Sequence, residues 1–183
     1  MSYYRVLRDV QAPGLCFFHE PVSAAGPVDA RNFTSCERFG AAGESLVLPV
    51  DPGDQPPFGF GAFDMPVLEP PLASKISDLA GDHVELVPVT ADGQARTILN
   101  VLRSADCIDE ERTIGDKRPT GTTRTDPVGR YQMILHLFLD PDRIAGLNIF
   151  RVDGWHIALI VSDTLVRSFT ADQRRGVRFQ RVT

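Results

Sequence analysis

Thr97-Ile98-Leu99-Asn100-Val101-Leu102-Arg103-Ser104-Ala105-Asp106-Cys107-Ile108-Asp109-Glu110-Glu111-Arg112 is the segment around which the chain is organised. Its first half is a short run of β-branched and aliphatic residues, and its second half ends in a knot of carboxylates. A run of that length after the turn signal Asp92-Gly93 reads as a buried strand. Residues 84–89 supply a second such run, so 84–89 and 95–102 are expected to form a hairpin across Ala91-Asp92-Gly93 at the centre of a sheet. Asp106, Asp109, Glu110 and Glu111 then crowd the exit. Like charges so close together repel, and few can be buried unpaired, so they are expected to face water or a cationic partner.

Working outward from this hairpin, short strands are expected at 3–7, 15–18 and 46–50, with 20–43 loop-like between breakers at Pro21, Gly26, Pro27 and Gly43. Phe58 and Phe60 alternate as one face of a strand. Gly59, Gly61 and Asp64 invite a phosphate-loop reading, but prolines stand on both sides where a parallel strand and a helix are needed. Glycines between bulky aromatics relieve crowding instead. Residues 72–79 read as a helix with Leu72, Ile76 and Leu79 on one face, entered through Pro70-Pro71 and stopped by Gly81.

Beyond the acidic exit, 113–129 is polar, holding Lys117, Arg118 and Arg124, and is expected to be a long loop whose cations fold back on the acids or dress a partner surface. A strongly apolar strand follows at 131–139, then a short helix capped by Asp140-Pro141. Strands at 149–152 and 157–161 flank Asp153-Gly154. Ser162 caps a helix carrying Leu165, Val166 and Phe169, which Arg174 and Arg175 are expected to close before a last strand at 177–182. The pattern gives an α+β fold, a mixed and largely antiparallel sheet of short strands with a few short helices packed on it. One domain over 1–183 is expected, with a loop-rich N-terminal lobe over 1–70 as the place it would divide.

With 183 residues, 43% hydrophobic and 23% charged, the composition is that of a soluble globular protein. A net charge of −5 and a pI of about 5.3 argue against nucleic acid, which needs a basic face. Cys16, Cys36 and Cys107 lack the short spacings of a zinc site and read as reduced thiols. Arg5, Arg8 and Asp9 interrupt the apolar core an export signal would need, and no stretch reaches the ~20 apolar residues of a membrane helix. A cytoplasmic location without membrane contact is therefore expected.

The four histidines form no His-x-x-x-His pair, and no Gly-x-Ser-x-Gly elbow or Gly-x-x-x-x-Gly-Lys-Thr loop is present. His136, within an apolar strand, and His156, beside Trp155, read as packed or edge residues, and Trp155 as a core anchor. Three readings of the acidic segment stay open: a solvated turn, a partner-binding patch, and a carboxylate pair for acid–base or magnesium chemistry.

Ile98-Leu99-Asn100-Val101-Leu102 leading into Asp106-Cys107-Ile108-Asp109 resembles a stretch of the immunity protein 11 family, its myxobacterial members especially. The aromatic segment ending Phe63-Asp64-Met65-Pro66 is similar to that family too. So is the tail, Ile149-Phe150-Arg151 through Val161-Ser162 to Gly176-Val177-Arg178-Phe179. The resemblance implies a cytoplasmic, non-enzymatic protein of bacterial toxin–immunity systems that binds a cognate toxin domain and blocks it, with no cofactor and no catalytic residues to carry over. Asp106, Asp109, Glu110, Glu111, Lys117, Arg118 and Arg124 are the expected partner-binding residues. The alternatives are a small enzyme using the carboxylates of 106–111, and an interaction domain unrelated to toxins.

Overall fold

The computed structural model describes residues 1–40, 43–117 and 131–183. In chain order the first elements are β1 (Tyr3–Arg8), the short pair β2 (Val22–Ser23) and β3 (Gly26–Pro27), β4 (Leu46–Leu48), β5 (Phe58–Phe60) and β6 (Pro66–Leu68). Helix α1 (Pro70–Ala80) leads into β7 (Val84–Ala91) and β8 (Gln94–Val101). After them come β9 (Ser104–Ala105), β10 (Ile114–Lys117), β11 (Tyr131–His136), β12 (Ile149–Val152), β13 (Trp155–Ser162), α2 (Asp163–Ser168) and β14 (Val177–Arg181). The architecture is α+β, with mixed, mostly antiparallel sheets and few short helices.

The hairpin expected from the sequence is present and tighter than expected. β7 and β8 pair in regular register from Val84↔Val101 to Ala91↔Gln94. Asp92 and Gly93 both take positive φ, 46° and 72°, as a two-residue turn matched to strand twist requires. β8 lies inside a seven-stranded sheet ordered β3-β2-β4-β7-β8-β6-β5. Leu99 and Val101 face a cluster shared with α1, α2 and the second sheet, whereas Ile98 faces a cluster roofed by Phe18, Phe33 and Met65. A strand covered on both faces explains the continuous apolar run.

The second sheet is ordered β14-β1-β13-β12-β9. Its strand β1 comes from the N-terminus and lies between β13 and β14, so the two ends of the chain fold together. One face packs on α1, α2 and the first sheet; the other carries Phe150, Val152, Trp155, Ala158 and Ile160 against Tyr131, Ile134 and Leu139. Trp155 is buried, as expected, and the Arg5 guanidinium lies 4.4 Å above its ring. No described helix is long and apolar enough to cross a membrane.

Several local expectations need correction. Residues 15–18 form isolated bridges rather than a strand, Leu15 to Asp54 and Phe18 to Val50 and Gly61, because the Phe18 side chain plugs the core between glycines. A Cβ at Gly59 would lie 2.7 Å from the Phe18 ring, and one at Gly61 2.9 Å from the Phe18 carbonyl oxygen, so close approach is what those glycines serve. Within 20–43, β2 and β3 pair and a 3-10 turn covers Ala30–Phe33. In α1 the buried face is Leu72, Ala73, Ile76 and Ala80, and Leu79 sits at its exposed rim.

The expected loop over 113–129 begins as a strand, β10, and the remainder, 118–130, lies outside the described residues. β11 stops at His136, short of the expected 139. Ser162 caps α2 through Leu165 N–H at 3.2 Å. That helix ends at Ser168, because Phe169 turns extended to bury its ring. Arg174 belongs to a separate turn, yet its Nη2 reaches back to the Val166 carbonyl oxygen at 2.9 Å, so it serves the helix end through space.

Candidate partner-binding site

The acidic exit is pinned at both ends before it reaches solvent. β9 pairs in parallel with β12, and Cys107 and Ile108 are buried in the cluster around Trp155. Ile108 bridges Leu139, and Asp140 N–H donates to the Cys107 carbonyl at 2.8 Å. Cys107 is a free thiol whose pKa burial pushes up to about 12, which makes it packing material.

From that anchored base the carboxylates fan outward, and most find cations within the chain. Arg143 Nη2 donates to Asp106 Oδ2 at 2.6 Å, across 37 residues. Asp109 Oδ1 accepts from the backbone N–H groups of Glu111 and Arg112 at 3.2 and 3.1 Å, which shapes the turn as an Asx motif. Its other oxygen lies 3.7 Å from Arg112, whose guanidinium stacks over Phe138 at 4.3 Å. Glu110 pairs with Lys117, and that hydrogen bond raises the lysine pKa. Glu111 is exposed and has no such ion pair among the described residues. Arg118 and Arg124 lie outside the described residues.

The expected fold-back of cations from 113–129 onto the acids is seen for Lys117 on Glu110, whereas Asp106 and Asp109 are met by Arg143 and Arg112, from outside that expectation. The partner of Asp106 comes from a turn after β11, and nothing local announces it. The pairs lie at the surface, with Asp109 half-buried and the other members exposed, so each contributes little to stability. Among the described residues no group of three or more His, Cys, Asp or Glu side chains is arranged to hold a metal ion.

Two polar features inside the fold were not foreseen. Arg151, in the middle of apolar β12, is fully buried. Its Nη1 donates to the carbonyls of His156 and Ile157, both at 3.1 Å, and burial lowers its pKa to about 10, against the pull of Cys36 and Asp64. Asn100 Nδ2 donates to the Glu37 carbonyl at 2.7 Å and to Glu85 Oε2 at 2.8 Å, tying β8 to the N-terminal loops. A charge set among Ile149, Phe150 and Val152 was the available signal for Arg151.

A sequence model of an immunity protein family, Imm11, matches residues 90–183, just over half of the chain. The chain belongs to the Imm11 immunity protein family. The match runs from the end of β7 through β8, the acidic exit, β10 and β11 to β14, so it contains every expected partner-binding residue. It omits β1, which completes the second sheet from outside the matched region. No curated protein matches the chain.

Proposed function

We propose that this Imm11 member acts in the cytoplasm as an immunity protein that binds a cognate bacterial toxin domain and neutralises it by occluding its active site, without catalysis of its own. The observation that carries this reading is the family match over residues 90–183. The contact surface is the acidic exit and its flank: Asp106, Asp109, Glu110, Glu111, Lys117, Arg118 and Arg124. The described members of that group sit at the protein surface, on a segment whose base is fixed by Cys107 and Ile108. Charged groups of this kind act mainly on association rate and partner choice.

The test is co-expression with the toxin domain encoded by the adjacent gene. Rescue of growth and a stoichiometric complex on co-purification are expected, with Glu111→Lys slowing association. No rescue together with no complex would reject the proposal.

A further inference from the structure

The ribbon of β10 and β11 has one side sealed and one side open. Tyr131 and Ile134 point into the cluster around Trp155. Met133 and Leu135 are instead 47% and 62% exposed, and the bulges that skip Leu135 and Gln132 in the register let Tyr131 and Ile134 turn inward together. On the paired strand Ile114 is 56% exposed. The register places Ile114 opposite His136, beside Leu135, and Asp116 opposite Met133. Scattered exposed apolar residues need no explanation, but three on neighbouring positions of a four-residue and a six-residue strand make a patch.

The ribbon is also built to hold that patch out. Its register shifts twice, between Ile114 and Gly115 and between Asp116 and Lys117. Gly115 permits the crossing, since a Cβ there would lie 2.5 Å from the Met133 carbonyl oxygen. Thr113 Oγ1 clamps the base by bonding to both the carbonyl and the N–H of Phe138, at 3.0 and 3.1 Å. Lys117 lies over the Tyr131 ring at 5.3 Å.

Charge identifies the kind of surface that fits. The described residues 104–117 and 131–143 hold seven carboxylates against three Lys and Arg side chains. Residues 118–130 add three arginines and one aspartate, which leaves the whole segment net negative. Asp116, opposite Met133, and Glu111, at the turn before β10, are exposed and carry no ion pair among the described residues.

We propose that the outward face of this ribbon, Ile114, Met133 and Leu135 with Asp116 and Glu111 at its rim, is the apolar centre of the contact with the toxin domain, whose matching surface is apolar and edged by cationic side chains. This rests on the toxin-binding reading above and adds its energetic core: a desolvated apolar centre carries most of the affinity of an interface, and charged rims carry little.

The probe is the toxin domain encoded by the adjacent gene. Its affinity for the full chain and for a triple variant, Ile114→Ser with Met133→Ser and Leu135→Ser, is measured by calorimetry, alongside growth rescue and thermal unfolding. The triple variant should melt close to the wild type, lose at least about a hundredfold in affinity and fail to rescue. The pair Asp116→Lys with Glu111→Lys should lower the association rate and its salt dependence. Should the triple variant unfold, Leu135→Asp alone carries the same test. Wild-type affinity in a folded triple variant overturns this inference and leaves the toxin reading standing. A wild-type chain that neither binds nor rescues overturns both. A wild-type dimer in light scattering that the triple variant converts to monomer overturns it in favour of self-association.

Discussion

β8 and β11 look alike as sequence and behave differently as structure. Thr97-Ile98-Leu99-Asn100-Val101 and Tyr131-Gln132-Met133-Ile134-Leu135 are both short apolar runs broken by one polar amide. In β8 every residue from Arg96 to Val101 is buried, because sheet and helices close one face and the N-terminal loops close the other. In β11 only Tyr131 and Ile134 are buried, because among the described residues the ribbon is covered on one side alone. Hydrophobicity reports how much burial a segment can use; the number of layers around it decides how much it receives.

That contrast predicts unequal costs for similar truncations. Leu99→Ala, on a fully buried side chain, should lower stability by about 2–5 kcal/mol in urea unfolding. Leu135→Ala should change it by no more than about 0.5 kcal/mol. Equal losses at the two positions would mean that the ribbon's outer face is covered, and the contrast would fail.

Gly115→Ala probes the ribbon itself. The added methyl meets the backbone of Met133 and Ile134 rather than a yielding side chain, so a loss of about 1–3 kcal/mol is expected. Amide exchange should accelerate over 131–136 while the β7–β8 hairpin keeps its protection. Faster exchange in the hairpin as well would show the two regions to be one cooperative unit.

The smallest effect tests how dry the covered side is. Burial lowers the pKa of His156, Arg151 lowers it further, and Asp153 opposes both. The folded state thus binds that proton less well than the unfolded chain. The contribution to stability is complete above the ordinary histidine pKa of about 6.5 and is lost as the pH falls through the folded value. His156→Gln should flatten the decline in stability from pH 7 to pH 5, and an unchanged slope would place the imidazole in solvent.

Much of the local structure was legible. Asp92-Gly93, Asp140-Pro141 and Ser162 each mark a boundary through an interaction within a few residues, and each falls where it was read. The errors share one cause. Residues 15–18 lacked a continuous neighbour, α2 ended early because Phe169 had a pocket to fill, and 114–117 became a strand because β11 lay beside it. At the acidic exit the expected fold-back of a cation is seen for Lys117 on Glu110, but the cation facing Asp106 is Arg143, 37 residues on, which no local pattern announces.

The hairpin, its turn, the helix caps, the acidic segment and the family follow from local patterns or from an order of motifs. Distant packing sets the rest: the β10–β11 ribbon keeps Ile114, Met133 and Leu135 exposed, Asp106, Asp109 and Glu110 meet cations within the chain, and Arg151 is buried among carbonyls. The physical reason is range: backbone preference and charge act over a few residues, whereas burial depends on which distant segments arrive to cover a face.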